Sequence, residues 1–214
     1  MGPMQPKYVL SRSTRALRSG SLAFDAWALR WAPADGGTPA DAREVTAREA
    51  VRWLTAEGGA RRLPVGVIGP KVATPRQVAV AEELGRLLGE VGLTVLCGGK
   101  SGVMEGVCKG NLAAGGLPIG MLPDDDWTLA NPYVAIPLAT GIGVARNAVI
   151  ARAAFAMIAV GGEFGTLTEM AYGRHFDKLV VGLEGAPQVP GAVYCDTVGE
   201  AVDLVCADLL RLPA

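Results

Sequence analysis

Short apolar runs alternate with amphipathic stretches along the chain from residue 64 onward. The clearest amphipathic helix is 76–91, in which apolar side chains recur every three or four residues. Further helices are predicted at 102–114, 143–153, 166–176 and 197–210. Strands buried on both faces have continuous apolar sequences, so the alternation predicts an α/β fold with a doubly wound parallel sheet. The predicted strands are VGVIG (65–69), LTVLCG (93–98), LPIGML (117–122), YVAIPL (133–138), FAMIAVGG (155–162) and LVVGL (179–183).

Residues 1–63 precede this alternation and have a different pattern. The stretch 41–59 has the spacing of an amphipathic helix that ends at Gly58–Gly59, and 33–41 has the composition of a loop. The stretch 21–33 fits a strand and a short helix equally well. We therefore expect an N-terminal extension, 1–63, packed on a main ligand-binding domain, 64–214.

Composition excludes several classes of function. Half of the 214 residues are apolar, 19% are charged, and the formal net charge is −1, which indicates a globular protein without the basic field that nucleic acids require. The cysteines are dispersed and His175 is the only histidine, so no metal site is expected, and Cys97 and Cys206 are interpreted as buried, reduced thiols. No signal-peptide core or membrane-spanning run is visible, and a cytoplasmic location without a membrane partner is expected.

The first glycine-rich loop, CGGKSGVMEG, follows the second predicted strand of the sheet. It is not a Walker A motif, because the first glycine of that motif would fall at Thr94. In open α/β sheets, ligands bind beyond the carboxyl ends of the strands. The three glycines Gly98, Gly99 and Gly102 allow a ligand close to the backbone there, although they also fit a tight turn without a ligand.

The second glycine-rich loop, VGGEFGTLTE (160–169), contains Gly161, Gly162 and Gly165 before a helix predicted from Thr166. Free amide groups at a helix N-terminus favour an anion, typically a phosphate. Glu169 has two interpretations at this stage. It completes a T-x-x-E capping box with Thr166, or it takes part in the chemistry of the site.

Arg146 and Asn147 lie where the fourth helix is predicted to begin. A cation in the first turn opposes the helix dipole, so Arg146 is better explained by an anionic partner, either a ligand or an acidic neighbour. Asn147 donates or accepts hydrogen bonds beside it.

These motifs, in the order CGG..SGVMEGV, GIGVARNAVIARAAFAMIAVGGEFGTLTEMA and LVVGL, resemble the superfamily of LOG (lonely guy) proteins. Within it, the chain is most similar to the molybdenum cofactor carrier branch. The resemblance covers about residues 64–210 and implies a Rossmann-like fold and a homodimer or a higher homo-oligomer. LOG enzymes bind the phosphate of a nucleoside 5′-monophosphate with P-G-G-x-G-T-x-x-E. By this resemblance, the catalytic pair is Arg146 and Glu169, the phosphate cradle is Gly161, Gly162, Gly165 and Thr166, and the same cleft is lined by Gly98, Gly99, Gly102, Met104 and Asn147.

Three positions depart from the LOG enzymes. Val160 replaces proline, Thr168 replaces a second glutamate and Asn147 replaces lysine, as in the carrier branch. Two functions therefore remain open. One is a binding protein for a phosphorylated, nucleotide-like ligand such as the molybdenum cofactor. The other is a phosphoribohydrolase that releases ribose 5-phosphate from cytokinin nucleotides or AMP and needs no cofactor for catalysis. A third interpretation, a regulatory protein with a partner site on the extension, rests only on 1–63.

Overall fold

The computed structural model of the chain describes residues 7–212. Contacts divide the described residues into two compact units, one formed by residues 7–62 with 206–212 and the other by residues 63–205. The first six residues of the predicted extension lie outside the described part. The packing of the extension on the main domain stays a prediction.

The first unit contains an antiparallel sheet of five strands in the order β4-β3-β2-β1-β5. The ambiguous stretch 21–33 forms two of these strands, which a four-residue turn joins. The predicted helix 41–59 is shorter than expected, because a capping box of Thr46 and Glu49 sets its start and the residues before it pair with β1. The elements are Tyr8–Ser11 (β1), Ala16–Ser19 (β2), Leu22–Asp25 (β3), Arg30–Pro33 (β4), Arg43–Val45 (β5) and the helix Ala47–Ala56 (α1).

The second unit contains seven parallel strands in the order β12-β11-β10-β6-β7-β8-β9, which confirms the predicted doubly wound α/β fold. Every predicted strand of the main domain is present. The last strand of the sheet, β12, was missed because it has two exposed residues and no apolar run. The strands are Pro64–Ile68 (β6), Thr94–Cys97 (β7), Ile119–Leu122 (β8), Ile136–Ala139 (β9), Ala156–Val160 (β10), Leu179–Leu183 (β11) and Val193–Tyr194 (β12).

Helices follow the strands as the apolar periodicity predicts. The fourth is preceded by a short 3₁₀ turn, Gly143–Ala145, and the fifth begins two residues before the expected Thr166. None of the helices in residues 7–212 is long and apolar enough to span a bilayer. The helices are Pro75–Glu90 (α2), Val103–Ala113 (α3), Arg146–Ala153 (α4), Phe164–His175 (α5) and Val198–Leu209 (α6).

The strand order creates a switch point between β6 and β10. From β6 the chain runs outward through β7, β8 and β9, and then returns to place β10 on the other side of β6. The loops that leave the carboxyl ends of β6 and β10 therefore diverge and open a crevice between them. This crevice is where a ligand site is expected.

Helices α2 and α3 lie on one face of the sheet and pack so closely that their backbones are in contact. A Cβ atom on Gly110 would lie 1.9 Å from the carbonyl oxygen of Glu82, and one on Gly85 would lie 2.1 Å from that of Val107. No side chain fits at either position without separating the two helices. Since α3 begins directly after the first glycine-rich loop, this packing also fixes the loop.

We expect Gly110→Ala to lower the free energy of unfolding by about 1–3 kcal/mol, as overpacking does. The direction of this change is informative, because replacing a helical glycine with alanine ordinarily raises the free energy of unfolding by about 1 kcal/mol. Urea denaturation would measure the change. Gly165→Ala is the matched control, since Gly165 is also helical but has nothing within 4 Å of its Cβ position. Equal stability of Gly110→Ala and the parent would contradict close helix packing.

Candidate functional site

A cleft of about 400 Å³ lies at the switch point, within the second unit. Its walls come from the loops after β6, β7, β8 and β10 and from the starts of α3, α4 and α5. The lining residues are Ile68, Gly69, Pro70, Lys71, Val72, Gly98, Met104, Pro123, Val144, Arg146, Asn147, Glu163, Gly165, Thr166 and Glu169.

Most of the predicted site residues lie in this cleft, including both members of the predicted pair. Gly99, Gly102, Gly161 and Gly162 do not line it, but all have positive φ angles and so shape the two loops that do. The loop after β6 was expected to face the ligand, but none of the predicted site residues belongs to it, whereas Lys71 and Val72 border the cleft. That loop has no glycine fingerprint, and only its place after the first strand of the sheet pointed to it.

Arg146 is held in the cleft by the glycine loop after β7. Its guanidinium lies against Gly98, where an added Cβ atom would be only 2.3 Å from Nη2. The side chain is only 8% exposed, and its Nε is a buried donor without a hydrogen-bond partner among the described residues. A buried, incompletely paired guanidinium is costly unless an acceptor reaches it. The arrangement is therefore suited to a ligand anion.

Glu169 is the acidic neighbour of Arg146. Its Oε1 accepts a hydrogen bond of 3.5 Å from Nη1 of Arg146, and both side chains are 8% exposed. The capping interpretation of Glu169 is wrong, because α5 begins at Phe164 and its N-cap residue, Glu163, makes no side-chain capping bond. Glu169 is therefore in the second turn, where its side chain is free to point into the cleft.

Burial controls the protonation of this pair. Burial raises the pKa of Glu169 to about 7, although the nearby charge of Arg146 lowers it in part. Burial also lowers the pKa of Arg146, against the effect of Glu169. The carboxyl group therefore changes charge near neutral pH, and an anion bound to Arg146 would favour its protonated form.

The start of α5 lines the cleft with Gly165, Thr166 and Glu169. Gly162 has a φ of 114° and lies beneath Thr166, whose Oγ1 would be 2.2 Å from a Cβ atom on that glycine. The first amide groups of a helix have no acceptor within the helix, and they carry its positive partial charge. Amides and a hydroxyl group thus border the same space as the Arg146 guanidinium.

The acidic stretch 124–126 has structural partners. Asp124 accepts a 2.6 Å hydrogen bond from Lys100, and Asp126 accepts one from the amide of Thr128. Within residues 7–212, no group of three His, Cys, Asp or Glu side chains is arranged to hold a metal ion.

We expect the stability of the protein to depend on pH through Glu169. A carboxyl group whose pKa is raised from 4.5 to about 7 contributes stability in full below pH 4.5, and the contribution is lost as pH rises through 7. The parent should lose on the order of 3 kcal/mol across this range relative to Glu169→Gln. Denaturation between pH 4 and pH 8.5 would measure the difference.

Glu163→Gln is the control, since Glu163 lines the same cleft but is exposed. Denaturation of this variant over the same pH range supplies the reference for removing an exposed carboxylate from the cleft. A difference between Glu169→Gln and the parent that stays constant with pH would show that Glu169 is not held in a desolvated state.

The chain is similar to several known proteins in sequence and in structure. The chain is 33% identical to the molybdenum cofactor carrier protein of Chlamydomonas reinhardtii, with a TM-score of 0.64 over 70% of this chain and 99% of that one. It is 31% identical to the molybdenum cofactor binding protein of Rippkaea orientalis, with a TM-score of 0.57 over 72% of this chain and 90% of that one. An uncharacterized protein of Archaeoglobus fulgidus is 35% identical over 141 residues, which are 66% of this chain and 93% of the relative.

The predicted resemblance to LOG-like proteins and to the carrier branch is thereby confirmed. The region of similarity begins near β6, and the five-stranded sheet of the first unit precedes it. A family model matches residues 62–203, which hold the whole cleft. The chain belongs to the SLOG cluster4 family.

Proposed function

We propose that this protein binds a phosphorylated, nucleotide-like ligand in the cleft and that the molybdenum cofactor is the ligand it carries. The observation that carries the proposal is the buried guanidinium of Arg146, whose Nε has no hydrogen-bond partner within residues 7–212 and which borders the same cleft as the N-terminus of α5. Such a pairing of cation and helix amides is suited to a phosphate. The molybdenum cofactor is the proposed ligand because the two solved relatives are a carrier protein and a binding protein of that cofactor.

The residues present fit such a ligand. A volume of about 400 Å³ is in the range of small-molecule sites. Arg146, Thr166 and the first amides of α5 would hold the phosphate, and Met104, Val72 and Val144 offer apolar contacts to a ring system. When bound, the molybdenum cofactor supplies a metal for redox enzymes, and the part assigned to this chain is to hold and shield the phosphorylated pterin.

Asn147 favours a binding protein over a catalyst. It lines the cleft beside Arg146, at the position where the LOG enzymes have lysine. A neutral carboxamide adds hydrogen bonds without adding charge to the site. The cleft therefore lacks, at this position, the second cation that the LOG enzymes place beside their arginine.

The position of Glu169 favours a second candidate, the phosphoribohydrolase. Its carboxyl group lines the cleft instead of capping α5, within 3.5 Å of Arg146. A carboxylate so placed would orient water and stabilise the oxocarbenium-like state of N-glycosidic cleavage. This candidate uses the same cleft and needs no cofactor for catalysis.

We expect nucleoside 5′-monophosphates and phosphorylated pterins to raise the melting temperature of the parent, and Arg146→Ala to weaken their binding by about 10- to 100-fold. A hydrogen bond to a charged group contributes about 1.5–3 kcal/mol, which corresponds to that range. Thermal shift and calorimetric titration would measure it. Arg152→Ala is the matched control, because Arg152 lies on the same helix but packs over the ring of Phe176 outside the cleft.

The same incubations, analysed by chromatography for free base, separate the two candidates. Base released by the parent and abolished by Glu169→Gln would establish the hydrolase. Binding without release supports the carrier. Failure of every nucleotide and pterin phosphate to bind at millimolar concentration would exclude both.

We also propose that the protein is a homodimer built on the outer edge of β9. The strand is the last of the sheet at that side, and Ile136 and Leu138 are each 41% exposed. A 3₁₀ turn at Trp127–Leu129, which precedes β9 and contacts it, adds Trp127 at 63% and Leu129 at 50% exposure. An exposed edge strand with apolar side chains is a surface that soluble proteins ordinarily cover, and a second copy of the chain is the occupant that the resemblance implies.

We expect Ile136→Lys to convert the dimer into a monomer, because a buried ammonium group at the interface would lack a partner. Size-exclusion chromatography with light scattering would measure the mass. Val193→Lys is the control, since Val193 is also 41% exposed but lies on β12 at the opposite edge of the sheet. Loss of the dimer in Val193→Lys alone would place the interface on β12.

A further inference from the structure

Two cysteines are in contact directly beneath the glycine loop of the cleft. Cys97 is the last residue of β7 and Cys108 lies on α3, and their sulfur atoms are 3.4 Å apart. Both residues are completely buried and both are free thiols. The sequence indicated buried, reduced thiols but gave no reason to place these two together, because the contact depends on how α3 packs on the sheet.

The sulfur of Cys97 is also tied to the loop that shapes the cleft. It accepts a 3.3 Å hydrogen bond from the backbone amide of Gly99. Gly98, between these two residues, is the surface on which the Arg146 guanidinium lies. Any change in the position or charge of the Cys97 sulfur therefore acts on a backbone segment that supports the ligand-binding cation.

The surroundings of the two thiols shift their pKa values in opposite directions. The hydrogen bond from Cys108 lowers the pKa of Cys97, against the effect of burial, with further lowering from the Gly99 amide and the charge of Arg146. The same contact, together with burial, raises the pKa of Cys108. Cys97 therefore supplies the thiolate of the pair, and the thiolate is the form that reacts with oxidants.

We propose that Cys97 and Cys108 form a reversible disulfide under oxidising conditions and that this bond loosens the glycine loop 98–102. The oxidant is hydrogen peroxide. The Cys97 sulfur attacks the peroxide O–O bond and becomes a sulfenic acid with release of one water, and the Cys108 sulfur then displaces the hydroxyl group as a second water. Two thiols lose two electrons and two protons, and the peroxide is reduced to two waters.

The geometry explains why the loop responds. A disulfide bond is about 2.05 Å long, so the sulfur atoms must approach by more than an ångström. The Cys97 sulfur then withdraws from the Gly99 amide and no longer carries thiolate charge, and a buried amide loses its acceptor. We expect the amides of 98–102 to become accessible to solvent.

The first test of this proposal needs no ligand. The full-length native protein is treated with hydrogen peroxide, quenched, denatured and alkylated, and its mass and cross-linked peptides are determined. We expect a loss of 2 Da, two fewer alkylation sites, a peptide that joins Cys97 to Cys108, and full reversal by dithiothreitol. Cys108→Ser should abolish the 2 Da loss, and Cys195→Ser should retain it. Four alkylatable thiols after treatment, or a cross-link to a different cysteine, would overturn the proposal.

The second test follows the loop. Hydrogen exchange with mass spectrometry should show faster exchange in the peptide spanning 98–102 after oxidation, and unchanged exchange in Cys108→Ser. A disulfide that forms without faster exchange would overturn the coupling to the loop.

The effect on affinity rests on the proposed function and is measured separately. With inorganic phosphate as the probe, oxidation should weaken binding about tenfold, which corresponds to the loss of one buried hydrogen bond. Absence of phosphate binding in the reduced protein would count against the proposed function. The disulfide and the exchange of the loop would still decide the redox proposal.

Discussion

The contact between the Arg146 guanidinium and Gly98 determines the character of the cleft. It depends on a glycine directly after β7 and on a helix that begins at Arg146, and the same guanidinium meets a carboxyl group that reaches from α5. Each of these comes from a different strand–helix unit of the sheet. Burying this charge without full pairing costs free energy of folding, and the packing of the surrounding fold offsets that cost, as is common at binding sites.

The main sheet was predictable because its strands are buried on both faces and its helices have one apolar face. These are local patterns, and they place elements such as β10 and α2 to within a few residues. The sheet of the first unit was not predictable in the same way. Its strands have three or four residues with mixed burial, such as β3, and their pairing depends on contacts that no short window of sequence contains.

The features of the site that lie within one short stretch of sequence were likewise predictable, and those that depend on tertiary contacts were not. The glycines after β7 and β10 indicated loops that border the cleft, because a backbone that a ligand approaches closely often needs glycine. The role of Glu169 was ambiguous, since T-x-x-E fits a cap until the true start of α5 is known. No sequence motif indicated that Lys71 borders the cleft. The contact of Cys97 with Cys108 was not predictable either, because it depends on the packing of α3.

The return of the chain from β9 to β10 has a consequence for synthesis. The loops after β6 and β7 are made early, but their partners on α4 and α5 follow only after β8 and β9. A nascent chain that ends before α5 therefore lacks Gly165, Thr166 and Glu169 of the cleft, and a ligand that needs them would bind only a completed second unit. Since the ligand would then bind only the folded state, its binding would stabilise the second unit against unfolding. Only completed chains would gain this stability.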